Sequence, residues 1–155
     1  MVESCLAIQM SYENKDFMCF LLSNKALTRD VLNRKGREGI GRCYLCQNDN
    51  ETNLHIVIDC DYTRKVWFAI ESKLKKQELW NGDSVESFPK KWVSNDDLRD
   101  LRSLPLIVSW SIWLAINSIC FEHISVQLIK CVMQSIGILS YFPQGIEKIK
   151  ICHIK

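Results

Sequence analysis

The stretch CYLCQNDNETNLHIVIDC, residues 43–60, carries Cys43, Cys46, His55 and Cys60 in a Cys-x2-Cys-x8-His-x4-Cys array. Three thiols and an imidazole at such short separations are enough to close a tetrahedron around one Zn²⁺. A shell filled by four protein ligands leaves no position for a reactive water, so it organises a fold and does not activate a nucleophile. The spacing therefore predicts one structural zinc ion and a non-catalytic role. On this reading the metal stands in for much of a core, contributing roughly 10 kcal/mol to folding of the loop that wraps it.

Outward from that array, 155 residues accommodate one modest domain, or a small metal-organised unit joined to a helical one. An apolar fraction of 47% supports a core, and 25% charged residues is ordinary for a globular chain. The net charge is only +2 with a pI near 8.1, so any basic surface must be local. Eight cysteines raise the question of a disulfide scaffold. Met1 to Met10 show no charged segment followed by an apolar one, so an intracellular setting, nucleus or cytoplasm and not secretion, is expected. In a reducing compartment a Cys-x2-Cys pair reads as metal binding. Cys5, Cys19, Cys120, Cys131 and Cys152 lack ligand spacing and read as buried or incidental thiols.

Before the array, residues 1–16 carry no strong period, and Phe17 to Leu22 reads as a buried turn of helix. Thr28 is a candidate N-cap, Leu27 and Leu32 a candidate staple, and Gly36 a candidate C′ residue for a short helix. Leu54 to Ile58 is apolar and β-branched, which predicts a short extended arm carrying His55. Asp61 is placed to cap a helix over 62–76 with an apolar stripe of Tyr62, Val66, Ile70 and Leu74. Asn81-Gly82-Asp83 and Pro89 predict a linker, with Trp80 and Trp92 exposed in it. Ser94 or Asn95 caps an acidic turn at Asp96 and Asp97, and two apolar helices follow over 106–121 and 126–141, the second ended by Pro143 and Gly145. The expected fold is mainly α: a small zinc-bound loop with a short extended arm between helices, followed by apolar helices. The expected division is 17–76, the zinc-binding unit; 77–95, a linker; and 96–142, a helical C-terminal region. Ser103 to Phe121 is uncharged and long enough to span a bilayer, but Ser109, Ser111, Asn117 and Ser118 favour a buried core helix.

Several motifs occur together in order. Ala26-Leu27-Thr28-Arg29-Asp30-Val31-Leu32 and Arg34-Lys35-Gly36 precede Cys43-Tyr44-Leu45-Cys46; Glu51-Thr52-Asn53-Leu54-His55 follows, then Cys60 and Trp67. Over about Phe17 to Phe68 this pattern resembles the zinc-binding domain that follows reverse transcriptase in plant LINE-type retrotransposons. Trp110-Ser111-Ile112-Trp113 and Asn117 to Phe121 resemble a segment that accompanies this domain. Two departures stand out. Phe17-Met18-Cys19-Phe20-Leu21-Leu22 lacks the tryptophan of the family pattern, and Ile116 occupies the place of an arginine. The resemblance implies zinc binding and contact with nucleic acid beside a polymerase.

Too little chain remains outside the array for a polymerase palm, and Ser94-Asn95-Asp96-Asp97 reads as a helix cap, not a Tyr-x-Asp-Asp site. A zinc deaminase is excluded because no His-x-Glu occurs, and His123 and His153 stand apart from any partner. The leading functional expectation is a module that binds RNA or single-stranded DNA. Its candidate contacts are Lys25, Arg29, Arg34, Lys35, Arg37, Arg42, Arg64 and Lys65, with Tyr44 and Tyr62 available for stacking and Trp67 nearby. Asp49, Glu51, Asp59 and Asp61 oppose them. The alternatives are a zinc-stabilised protein-interaction module and a retrotransposon remnant without selected activity.

Overall fold

The computed structural model describes residues 12–80, 82–85, 87–124 and 127–140. The expectations for Met1 to Met10, Cys5, Pro143, Gly145, Cys152 and His153 fall outside these residues. The described chain is helical with no strand, in keeping with the mainly α expectation. Its elements are α1 (Tyr12–Leu22), α2 (Arg29–Arg34), a π-helical turn (His55–Asp59), α3 (Asp61–Leu74), α4 (Ser87–Ser94), a 3₁₀ turn (Asp96–Leu101), α5 (Leu104–Glu122) and α6 (Leu128–Ser140).

Local chemistry explains each boundary near the array. Phe17 to Leu22 is the C-terminal half of α1, which begins earlier than the weak period of residues 1–16 predicts. After α2, Gly36 takes a left-handed φ of 78° that a side chain would strain. There the Arg37 amide donates to Leu32 O at 3.0 Å and the Gly36 amide to Asn33 O at 3.0 Å, a Schellman stop. The expected Leu27 staple fares differently: Leu27 is 51% exposed. Asn95, not Ser94, caps the acidic turn, its Oδ1 accepting from the Asp97 amide at 3.0 Å. Pro105 sits in the first turn of α5, where its missing N–H costs no helical bond.

Two expectations are corrected. The β-branched run at 54–58 is not an extended arm but helical backbone, because its three apolar side chains find a core and no strand to pair with. Ile56, Val57 and Ile58 are all buried. The linker also contains a helix. Pro89 falls in the first turn of α4, where proline is tolerated, and Trp92 is buried rather than exposed. Trp80 is half-buried, its indole N–H donating to Val57 O at 3.2 Å.

One apolar cluster runs through these elements. Trp67 of α3 meets Trp92 of α4 at a ring separation of 5.8 Å. Phe17 of α1 stacks on Trp113 of α5 at 5.2 Å and meets Trp110 edge-on at 5.4 Å. Helix α6 packs on both α5 and α3. Val66 and Ile70 of the expected stripe are fully buried, and Tyr62 and Leu74 are half-buried. The run from Asp96 to Glu122 is long and apolar enough to cross a membrane, and 56% of its most apolar 18-residue window is buried inside the protein.

Candidate metal centre

Residues 41–51 form a small hairpin with an antiparallel bridge between Arg42 and Asn50. Its closing bonds are Cys43 N–H to Asp49 O and Glu51 N–H to Gly41 O, both 2.8 Å. Gln47 adopts φ 61° as its amide donates to Cys43 O, and this turn brings Cys46 back toward Cys43. The second ligand pair depends on the π-helical turn. Thr52 Oγ1 accepts the His55 amide at 3.0 Å, capping the turn. The Cys60 amide then donates to His55 O at 2.8 Å, five residues back. That wider loop returns Cys60 to the His55 side, so the His-x4-Cys spacing corresponds to one π turn.

The structure brings all four expected ligands together. Their donor atoms lie within 4.8 Å of one another. Cys43 Sγ is 3.9 Å from Cys60 Sγ, and Cys46 Sγ is 3.3 Å from His55 Nε2. A tetrahedral zinc with ordinary bond lengths separates two sulfurs by about 3.8 Å and a sulfur from a nitrogen by about 3.5 Å. The donor set and its spacing fit one zinc ion. They do not fit a disulfide, whose sulfurs stand about 2 Å apart, and all three cysteines are free thiols. Cys43, His55 and Cys60 are buried while Cys46 is half-buried, so the centre lies at the edge of the core.

The electrostatics favour thiolate at Cys60. Its pKa is held down first by the facing Cys43 thiol and then by the Thr63 and Tyr62 amides at the start of α3, against the opposing effect of burial. The same contact, with burial, pushes Cys43 up.

Around the centre, Glu51 does work that spacing alone did not reveal. It is 3% exposed, and its carboxylate accepts the Arg29 amide at 3.1 Å and the Tyr44 amide at 3.3 Å. It thereby caps α2 and ties that helix to the Cys-x2-Cys turn; burial raises its pKa. Thr28 supplies no side-chain cap to α2. Its hydroxyl instead accepts from Asn53 Nδ2 at 3.3 Å, with Asn53 also reaching Ala26 O at 3.5 Å. The Thr28 and Glu-Thr-Asn motifs are two halves of one clamp. Their joint place in the motif order around the ligands was the sequence signal for it.

The candidate nucleic-acid contacts separate into groups. Lys25, Arg34, Lys35, Arg37, Arg42, Arg64 and Lys65 are exposed. Arg34 pairs with Asp30 at 3.2 Å, while Arg64 lies 4.0 Å from Asp59 and over the Trp80 ring at 5.6 Å. Arg29 is half-buried, its guanidinium 5.1 Å from the Tyr44 ring centre and hydrogen-bonded to the Tyr44 hydroxyl, which raises its pKa. One face of Tyr44 is therefore already covered. Tyr62 is half-buried with its pKa raised, first by burial and then by Cys131, and Trp67 is 1% exposed. Trp67 belongs to the core, and Tyr62 packs partly against it. Of the opposing acids, Glu51 is buried and Asp59 faces Arg64. Ile116 is 2% exposed in α5, so the position where the resemblance has arginine is here a packing site.

A helical loop that brings three thiols and an imidazole to zinc-ligand spacing defines a zinc-binding module. Residues 7–67 match the family described as zinc-binding in reverse transcriptase. The match supports a zinc-binding domain of the reverse-transcriptase-associated kind over that part of the chain. No curated protein and no solved structure matches the chain.

Proposed function

We propose that this chain is a non-catalytic structural-zinc module that binds RNA or single-stranded DNA inside the cell, and that it derives from the plant LINE-type setting its motifs resemble. The observation that supports this most is the run of exposed cations on the segment leading into the first ligand. Lys35, Arg37 and Arg42 are solvent-facing, with Lys25 and Arg34 close by in sequence. Of the neighbouring acids, Glu51 is buried and Asp59 offsets Arg64, while Glu38, Asp49 and Asp61 stay exposed.

A filter-binding salt series with oligouridylate tests this directly. Three phosphate contacts predict a slope of log affinity against log salt near about −2 for a single strand. Replacing Arg37 and Arg42 by glutamine is expected to flatten that slope by about 1.4. Absence of binding at low salt would end the proposal.

A further inference from the structure

A groove of about 1020 Å³ lies between α1, the 23–27 loop, α2 and Trp113 of α5. Phe17, Ala26 and Val31 line it while being themselves almost fully buried. Phe20 and Leu27 line it too, yet are 56% and 51% exposed. Polar groups at the groove are Lys25, Arg34 and Lys35 against the single carboxylate of Asp16, with Ser23 and Asn24. Large apolar side chains left open beside one another mark a surface that gains from being covered.

We infer that this groove docks an acidic amphipathic helix of a partner protein, on apolar side chains that the nucleic-acid surface does not use. The two surfaces share the cations Lys25, Arg34 and Lys35 at their border. Apolar side chains of the helix fill the space over Phe17, Val31 and Trp113 and cover Phe20 and Leu27. Its flanking carboxylates meet Lys25 and Lys35, with Arg34 already paired with Asp30. This is the helix-in-groove mode, with anchors at i, i+3 or i+4 and i+7. The excess of cations among the lining side chains selects the acidic sign by charge complementarity. A nucleic-acid strand suits the same groove less well. Bases pushed into it would bury ring nitrogens and carbonyls against apolar walls that offer no hydrogen bonds. Single-strand platforms leave base edges open to water.

The test is fluorescence anisotropy on the full chain with two labelled helical peptides of about 16 residues. Both carry Leu and Phe at the anchor positions; one is flanked by Glu and the other by Lys. The acidic peptide is expected to bind in the micromolar range, at least about tenfold more tightly than the basic one. Because Phe20 and Leu27 are exposed, Phe20→Glu and Leu27→Glu should keep the helical circular dichroism and the zinc content while lowering acidic-peptide affinity about tenfold or more. Equal binding of both peptides, no binding, or indifference to both substitutions would overturn the assignment. So would loss of oligouridylate binding in Phe20→Glu with no acidic-peptide binding by the parent chain, which would place nucleic acid in the groove. Oligouridylate binding that survives Phe20→Glu, alongside peptide binding that does not, is the result expected if the apolar groove serves the helix and not the nucleic acid.

Discussion

Glu51 shows how a single buried carboxylate can join a helix to a metal loop. Removing it by Glu51→Ala strands the Arg29 and Tyr44 amides, each of which it now satisfies. The expected cost is about 1–3 kcal/mol, read as a fall in thermal midpoint of the zinc-loaded protein. Glu51→Gln keeps an acceptor oxygen and should cost less; equal losses from both would show that charge, not hydrogen bonding, matters there. Gly36→Ala is expected to cost about 1 kcal/mol, because its φ of 78° sits in the left-handed region. The four ligands could be read from sequence because thiol and imidazole at close spacing are rare except at metals. Glu51 could not, because one acid among Asp49, Asp59 and Asp61 gives no sign of which is buried. Tyr44 and Tyr62 were ambiguous for a related reason: an aromatic ring serves a core and a stacking surface equally well.

Among the elements, the π turn is the most instructive. Its residues are β-branched and apolar, a strand pattern by composition, and no local rule selects the wider turn. What selects it is the need to bury Ile56, Val57 and Ile58 while returning Cys60 to His55. Helix α4 was hidden by Asn81-Gly82-Asp83 and Pro89, which signal a loop unless the proline lands in a first turn. The packing partner it provides carries an energetic prediction. Trp92→Ala should destabilise the protein by about 3–5 kcal/mol, since Trp92 is 2% exposed against Trp67. Trp80, half-buried beside Arg64, should cost distinctly less when replaced. Chemical denaturation of the two variants checks the order, and a larger loss at Trp80 would contradict it. The apolar helices α5 and α6, by contrast, were plain in the sequence: α5 runs uncharged from Leu104 to Phe121 with Pro105 in its first turn, and α6 interrupts its apolar residues with a single charge, Lys130.

For the molecule as a whole, the metal and the apolar cluster hold different regions. Cys43 and Cys60 enter that cluster, so the zinc loop rests on the core it helps to complete. The principal packing of α6 is against α5 and α3 and involves no ligand. Chelation is therefore expected to remove amide protection over residues 41–60 first, with α5 and α6 keeping theirs. Hydrogen exchange of zinc-loaded and chelated protein follows this, and simultaneous loss across all helices would contradict it. The central claim is that Cys43, Cys46, His55 and Cys60 together hold one zinc ion. Metal analysis of the protein purified without added zinc, beside its Cys46→Ser variant, tests it most directly. The account predicts one zinc per parent chain and close to none in the variant; a parent chain without zinc, or a variant that keeps it, would contradict the account.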